Sequence, residues 1–382
     1  MERLVVSEII YPSLLTPPPS LDFSDQFAFR PTGSTTAAII TLLDHITRML
    51  VTNQYVMVIA IDFTKAFDTV RHATLVEKMA MLDIPAQAQN WLQDFLSHRS
   101  HCTDYHSERS THLNINASIV QGSAVGPASY VVAASDLHAV TSGNEMCKYA
   151  DDTYLIIPAS NASSVSCEME NVATWSRANN LNVNLKKTTE IIFFDRRRHQ
   201  CPQLPPETPG ITRTTVIKIL GVSITNSLSM SEHIQAVLGS SAQSLYAIKI
   251  LKSHGLSSSA LHHVYRSVVI ARLLYAASAW WGFANPTDLQ RINAFLRRGI
   301  KCGLSSPETH NFEELCKAAD IKLFKTILTN NNHVLHKLLP PQCNAFNCYN
   351  LRKLTHNRQL PDRHNRLTNC NFLNRVLYND VY

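Results

Sequence analysis

Apolar residues recur along this chain in two rhythms, and each change of rhythm marks an element. From Thr35 to Leu50 (TTAAIITLLDHITRML), Ile39, Leu42, Leu43, Ile46 and Leu50 stand three or four residues apart, which predicts a helix with Ser34 or Thr35 as its N-cap. Tyr55–Ile61 (YVMVIAI) is an unbroken β-rich run of the kind found in strands buried on both faces, and it ends at Asp62. After Thr64 the helical spacing returns through Val70, Ala73, Val76 and Met79. The strand-like segments Cys147–Ala150 and Tyr154–Ile157 flank Asp151 and Asp152, which predicts a β-hairpin with both aspartates at its tip. A helix follows over Asn161–Leu181 on the spine Val165, Met169, Val172 and Trp175, then strands over Glu190–Phe194 and Val216–Ile224. From Ser231 onward the spacing is helical, including a helix over Ser258–Trp281. Proline clusters in 13–26 and 199–210 predict loops.

Length and composition narrow the class. The 382 residues suffice for two to three domains at roughly 150 residues each. With 45% hydrophobic and 17% charged residues, a disordered or collagenous chain is excluded. Nine cysteines without a CxxC pair read as reduced, buried thiols, which implies a reducing compartment. MERLVVSEIIYPSLL carries Glu2 and Glu8 and no small-residue cleavage site, so no secretory signal is expected. The apolar stretch Ser267–Ala284 is broken by Arg272 and falls short of a membrane span. The expectation is a protein of the nucleus and/or cytoplasm, not secreted and with no membrane partner.

The net charge of +6 is unevenly distributed. Arg297–Tyr382 holds 13 Lys or Arg against 6 Asp or Glu, leaving 22 against 23 in the first 296 residues. Arg352, Lys353, Arg358, Arg363, Arg366 and Arg375, with His356 and His364 between them, suit a phosphate backbone, and an ordinary solvated terminus is the competing reading.

Asp62 alone, ending a strand, would be an ordinary loop residue. Two adjacent aspartates at a hairpin tip repel one another and persist more easily beside a cation. An oxygen-only carboxylate set suits Mg²⁺ or Mn²⁺ rather than zinc. If the Asp62 strand and the Asp151–Asp152 hairpin share a sheet, the three carboxylates could hold two ions roughly 3.5–4 Å apart, an arrangement for in-line attack of a hydroxyl on a phosphate.

The ordered blocks FAFRPTGST (27–35), IAIDFTKAFDTV (59–70), IVQGSAVGP (119–127), KYADD (148–152), LNVNLKKTTEIIF (181–193) and ILGVSI (219–224) resemble the reverse transcriptases of non-LTR retrotransposons, in particular the jockey-like lineage. The resemblance implies an α+β right-hand polymerase. Residues 1–225 would form a fingers remnant and an antiparallel-sheet palm, 226–300 a helical thumb, and 301–382 a basic C-terminal extension. It implies RNA-directed DNA synthesis with an RNA template, a DNA primer, deoxynucleoside triphosphates and two Mg²⁺ (or Mn²⁺) ions. Asp62, Asp151 and Asp152 would be the metal-binding carboxylates, joined by the Phe63 carbonyl. Phe67 would be the sugar gate, with a plain core aromatic as the alternative, Gln121 and Gly122 would line the nucleotide, and Gly126 and Pro127 would shape a turn in the same block. Lys187 would protonate the leaving pyrophosphate, with neighbouring Lys186 as the alternative. Arg30 would contact template or triphosphate, with a structural salt bridge as the alternative. Leu220 and Gly221 would form the primer-grip turn.

The chain departs from that family in lacking an endonuclease domain and the upstream fingers block with its RPI-like arginine, which leads to the expectation of an N-terminally truncated copy. A catalytically inactive nucleic-acid-binding relic is therefore the alternative function. A two-metal phosphodiesterase is a weaker third, because no water-activating His cluster accompanies the aspartates. His333, His336, Cys343, Cys348 and Cys370 match no tetrahedral zinc spacing.

Overall fold

The computed structural model describes residues 1–120, 122–197, 203–305, 311–342 and 356–379. Gln121, Arg198, Pro202, Cys343, Cys348, Arg352 and Lys353 lie outside the described residues. The chain divides into two compact units. One comprises Met1–Ser34, Met57–Glu190 and Pro205–Arg213; the other comprises Thr35–Val56, Ile191–Leu204 and Thr214–Tyr382.

The strands of the main sheet are β1 (Val56–Ile61), β2 (Glu145–Tyr149), β3 (Asp152–Pro158), β4 (Thr189–Phe193) and β5 (Thr212–Thr214), in the spatial order β2-β3-β1-β4-β5. The apolar run of β1 is buried on both faces, Ala60 alone being half-buried. Each fully buried aliphatic side chain of this kind contributes roughly 1.5–3 kcal/mol. β2 and β3 pair antiparallel, with Tyr149 opposite Asp152, so Ala150 and Asp151 make a two-residue turn. Ala150 takes the left-handed conformation there, with φ +56°. A parallel bridge between Gln26 and Lys148 makes the sheet mixed.

Helices His72–Ala80 and Val125–Ala133 pack together in the first unit. The helix expected to run on from Thr64 is instead broken: one turn, Ala66–Thr69, ends at Val70, which is extended (ψ 122°). The Val70 carbonyl accepts from Ser118 N–H, and His72 N–H donates to the Asn116 carbonyl. Backbone pairing with residues 116–118 wins over helix continuation. Lys78 is buried and pins the two helices to the chain after them, donating to the Ala133 carbonyl at 2.5 Å, Asp136 at 2.7 Å and Asn179 at 2.9 Å. Gly126 and Pro127, expected in a turn, lie inside the Val125–Ala133 helix.

In the second unit the Thr35–Thr52 helix forms as expected. The strand expected over Val216–Ile224 is a hairpin, Val216–Ile219 against Val222–Thr225, because Leu220 (φ +45°) and Gly221 (φ +88°) turn the chain back. The expected helix Ser258–Trp281 is interrupted at Ala276, where φ is +50°. Helices Ser231–Ser253, Pro286–Lys301 and Phe312–Thr329 also belong to this unit, the last two capped by Asn285 and Asn311 side chains. Within the basic tail, His356 is buried and Arg375 is only 13% exposed, so neither lies on an open surface. The described cysteines Cys102, Cys147, Cys167, Cys302, Cys316 and Cys370 are free thiols. No described helix is long and apolar enough to cross a membrane.

Candidate active site

Asp62 follows the last residue of β1, and its backbone is held on both sides by the LNVNLKKT segment. Its N–H donates to the Thr188 hydroxyl at 3.3 Å, and its carbonyl accepts from Asn184 N–H at 2.8 Å. Thr188 in turn donates to the Asn184 carbonyl at 2.9 Å, and Thr64 N–H donates to the Asn182 carbonyl at 2.9 Å. In this antiparallel contact Phe63 faces Val183, and the ladder uses the groups of Asp62 and Thr64. The Phe63 carbonyl takes no part in this ladder.

Asp151 and Asp152 arrive from the β2–β3 turn. Burial, then the charge of Asp62, raises the pKa of Asp151. Burial, then the charges of Asp151 and Asp62, pushes Asp152 up to about 6. The three carboxylates therefore share one electrostatic environment within the first unit. Tyr130 belongs to it as well: burial, then Asp151 and Asp152, raises its pKa. Phe67, half-buried, stacks on the Tyr130 ring with centroids 4.5 Å apart and planes 23° apart.

The turn carrying the aspartates is fastened by a residue the sequence reading passed over. Gln26 Oε1 accepts three backbone N–H groups, from Ala150 at 3.0 Å, Ala28 at 3.0 Å and Phe27 at 3.1 Å. Beneath it, buried Lys148 pairs with Asp25 at 3.0 Å and donates to the Ala134 and Leu137 carbonyls at 2.8 and 2.6 Å. Asp25 also takes His138 at 3.0 Å, and that hydrogen bond raises the imidazole pKa. The only sequence signal for Gln26 was its place directly before the FAFRP block; Thr188 stood unremarked inside the 181–193 block, and Tyr130 had no signal beyond its place just after the 119–127 block.

Other expected site residues are less central. Gly122 has φ +84° in the loop before the Val125–Ala133 helix. Lys187 and Lys186 are exposed, and among the described residues neither forms an ion pair with the three aspartates. Arg30 turns its guanidinium back onto the Phe23 and Gln26 carbonyls and lies 6.0 Å above the Phe23 ring, with its Nε buried and unpaired. In the second unit, Tyr275 donates its hydroxyl to the Leu220 carbonyl at 2.9 Å. A Cβ on Gly221 would stand 3.3 Å from the Tyr275 ring, so this turn is tight on one side as well as left-handed.

Carboxylates at strand ends, with Asp62 after β1, Asp151 in the β2–β3 turn and Asp152 opening β3, accord with what comparison with known proteins finds. Residues 5–224 match the family model described as reverse transcriptase (RNA-dependent DNA polymerase). The chain belongs to this family. It is 25% identical over 284 residues to the probable RNA-directed DNA polymerase from transposon X-element of Drosophila melanogaster, covering 70% of this chain and 30% of that protein. It is 24% identical over 294 residues to the RNA-directed DNA polymerase from mobile element jockey of the same species, covering 72% and 31%. These relatives bear out the resemblance to non-LTR retrotransposon enzymes. The chain spans about a third of the length of the curated relatives it matches. Among solved structures, apo telomerase from Candida tropicalis aligns with TM-score 0.45 and 12% identity over 87% of this chain and 60% of that one.

The family's use of divalent metals meets a fitting donor set here. All side-chain donors are hard carboxylate oxygens, and their mutual repulsion is what a divalent ion would relieve. Among the described residues, no three His, Cys, Asp or Glu side chains form a ready-made cage for one ion. Mg²⁺ is commonly held by one or two carboxylates together with substrate phosphates, so a cage made only of protein groups is not required.

Proposed function

We propose that this chain carries out RNA-templated DNA synthesis, in which a primer 3′-OH attacks the α-phosphate of a deoxynucleoside triphosphate and pyrophosphate leaves. The observation that carries the proposal is the placement of Asp62 directly after β1, the strand beside β3, with Asp151 in the β2–β3 turn and Asp152 opening β3, in a chain of the reverse transcriptase family. Asp62, Asp151, Asp152 and the Phe63 carbonyl would hold two Mg²⁺ or Mn²⁺ ions. Bound ions would lower the pKa of the attacking hydroxyl and neutralise charge on the leaving oxygens.

The chain's own residues supply positioning. The 182–188 segment and Gln26 fix the backbones that present the carboxylates, so little reorganisation is needed as charge develops. Phe67, backed by Tyr130, is the ring proposed to lie beneath the sugar and disfavour a 2′-OH. Gly122 and its neighbours would line the nucleotide. Lys187 would donate a proton to pyrophosphate, and the Leu220–Gly221 turn would meet the primer strand.

The test is primer extension on poly(rA)·oligo(dT) with dTTP and Mg²⁺ or Mn²⁺, beside Asp62→Ala and Asp151→Ala. Incorporation lost by a factor of at least about 10³ in each variant supports the proposal, the scale expected when a group stabilising transition-state charge is removed. Template binding without any incorporation by the wild-type chain overturns it in favour of a nucleic-acid-binding relic.

A further inference from the structure

The second unit contains a cleft of about 510 Å³ that the reaction described above does not use. One wall is a single face of the Phe312–Thr329 helix, on which Lys317, Asp320, Ile321, Phe324, Lys325 and Leu328 recur at helical spacing. The opposite wall comes from Arg363 to Asn379, and Trp281 joins it.

The cleft is held rigid from behind. Asp320, only 4% exposed, accepts the Trp281 indole N–H at 2.9 Å and pairs with Arg375 at 3.0 Å. Arg375 lies 4.8 Å above the Trp281 ring and spends its remaining donors on the Cys370 and Ser278 carbonyls. Gly282 leaves the space for this, since a Cβ there would strike the Cys370 carbonyl and the Arg375 side chain. Trp281 is thus fixed in orientation yet only half-buried. Asp320 Oδ1 is buried on the cleft wall without a hydrogen-bond partner, an acceptor awaiting a donor.

The rim has one sign of charge. Lys317, Lys325 and Arg363 are exposed, and Arg363 stacks on Tyr378 with its guanidinium carbon 3.8 Å from the ring centroid. Among the described residues that line the cleft, Asp320 is the one carboxylate, and its Oδ2 is matched by Arg375. Aromatic rings between surface cations, with the Asn369 and Asn374 amides beside them, are the components that bind an unstacked base and its phosphates.

We propose that this cleft takes an unpaired nucleotide of a single-stranded polynucleotide, its base among Trp281, Phe324 and Tyr378 and its phosphates at Lys317 and Lys325. This rests on the proposed function only for the class of ligand. A duplex does not fit, because a paired base cannot enter the cleft.

The test is fluorescence anisotropy of the full chain with a labelled 12-nucleotide single-stranded RNA, the matched DNA and the matched duplex, in EDTA without nucleotides. It is paired with mapping of photocrosslinks from a 4-thiouridine oligonucleotide. Tyr378→Leu and Lys325→Ala should each weaken single-strand binding about tenfold, while Lys322→Ala, three residues away on the same helix but outside the cleft, should change it less than twofold. Lys325→Ala should also reduce the salt slope by about one. Crosslinks should map to peptides holding Trp281, Phe324 or Tyr378. Equal losses with RNA and DNA assign base and phosphate contacts, and a loss with RNA alone adds a 2′-OH contact. Crosslinks confined to other peptides, Lys325→Ala behaving like Lys322→Ala, or a duplex binding with the same dependence on Lys325 would overturn the proposal. Cleft crosslinks from a chain that extends no primer would sink only the polymerase reading; extension without cleft crosslinks would sink only this one.

Discussion

Gln26 and Ala150, 124 residues apart, are joined by a 3.0 Å hydrogen bond that fixes the left-handed turn presenting Asp151. The same carboxamide oxygen takes two further N–H groups, so one side chain satisfies three buried or partly buried donors. Gln26→Met keeps the volume and removes the acceptor. Leaving a buried donor unpaired costs roughly 1–3 kcal/mol, so a fall in melting temperature corresponding to about 3 kcal/mol is expected. Primer extension should fall at least about tenfold, since small displacements of reacting groups are amplified in rate. An unchanged kcat in Gln26→Met would remove Gln26 from any positioning role.

Phe67 owes its orientation to Tyr130, on which it stacks with centroids 4.5 Å apart. Phe67→Ala should raise incorporation of rGTP relative to dGTP on a poly(rC) template by at least about tenfold, because a steric block costing roughly 1.4 kcal/mol or more is removed. Tyr130→Phe keeps the stack and should leave that ratio within about twofold. Single-nucleotide kinetics with both substrates decide it, and equal discrimination in Phe67→Ala would exclude Phe67 as the gate.

Elements set by local pattern were legible in the sequence. The buried run before Asp62 and the apolar flanks of Asp151 and Asp152 identified β1 and the hairpin because their burial is encoded residue by residue. Devices set by distant partners were not. The turn at Leu220–Gly221 came from the family resemblance alone: the local pattern gave one strand, because nothing in Leu-Gly announces a left-handed pair as Asn-Gly would. The break after Val70 depends on residues 116–118, and the burial of Lys148 on carbonyls more than ten residues away. Arg30 carried two readings, a template or triphosphate contact and a structural salt bridge, and its place in the motif did not reveal that its guanidinium donates to the Phe23 and Gln26 carbonyls of its own loop. The motifs placed the carboxylates; the groups that hold them still needed the tertiary structure.

Gly126 stands inside the Val125–Ala133 helix, where a Cβ would lie 2.8 Å from the Ile119 side chain and 2.9 Å from the Val120 carbonyl. The second obstacle is backbone and cannot rotate away. Gly126→Ala should therefore destabilise the chain by about 1–3 kcal/mol despite the better helix propensity of alanine. A denaturant titration monitored by circular dichroism measures this, and a neutral or stabilising result would show that the loop before the helix can shift.

His233 is buried edge-on against Trp280, with ring centroids 5.1 Å apart, and burial followed by the Lys218 charge pushes its pKa down to about 4. Its unfolded value is 6.5, so between those limits the unfolded chain binds a proton that the folded chain refuses. The stability contributed is present above pH 6.5 and is lost as pH falls toward 4, on the order of 2 kcal/mol by pH 5. His45, pushed to about 4 by burial, acts in the same direction. Asp44 acts oppositely: burial raises it to about 6, so its ionisation cost disappears on acidification. The wild-type slope therefore mixes these groups, and His233→Phe isolates one of them while keeping a ring against Trp280. Melting temperatures at pH 7.5 and 5.0 should differ less in His233→Phe than in the wild type. Equal differences would mean that His233 already protonates in the folded chain near its ordinary value.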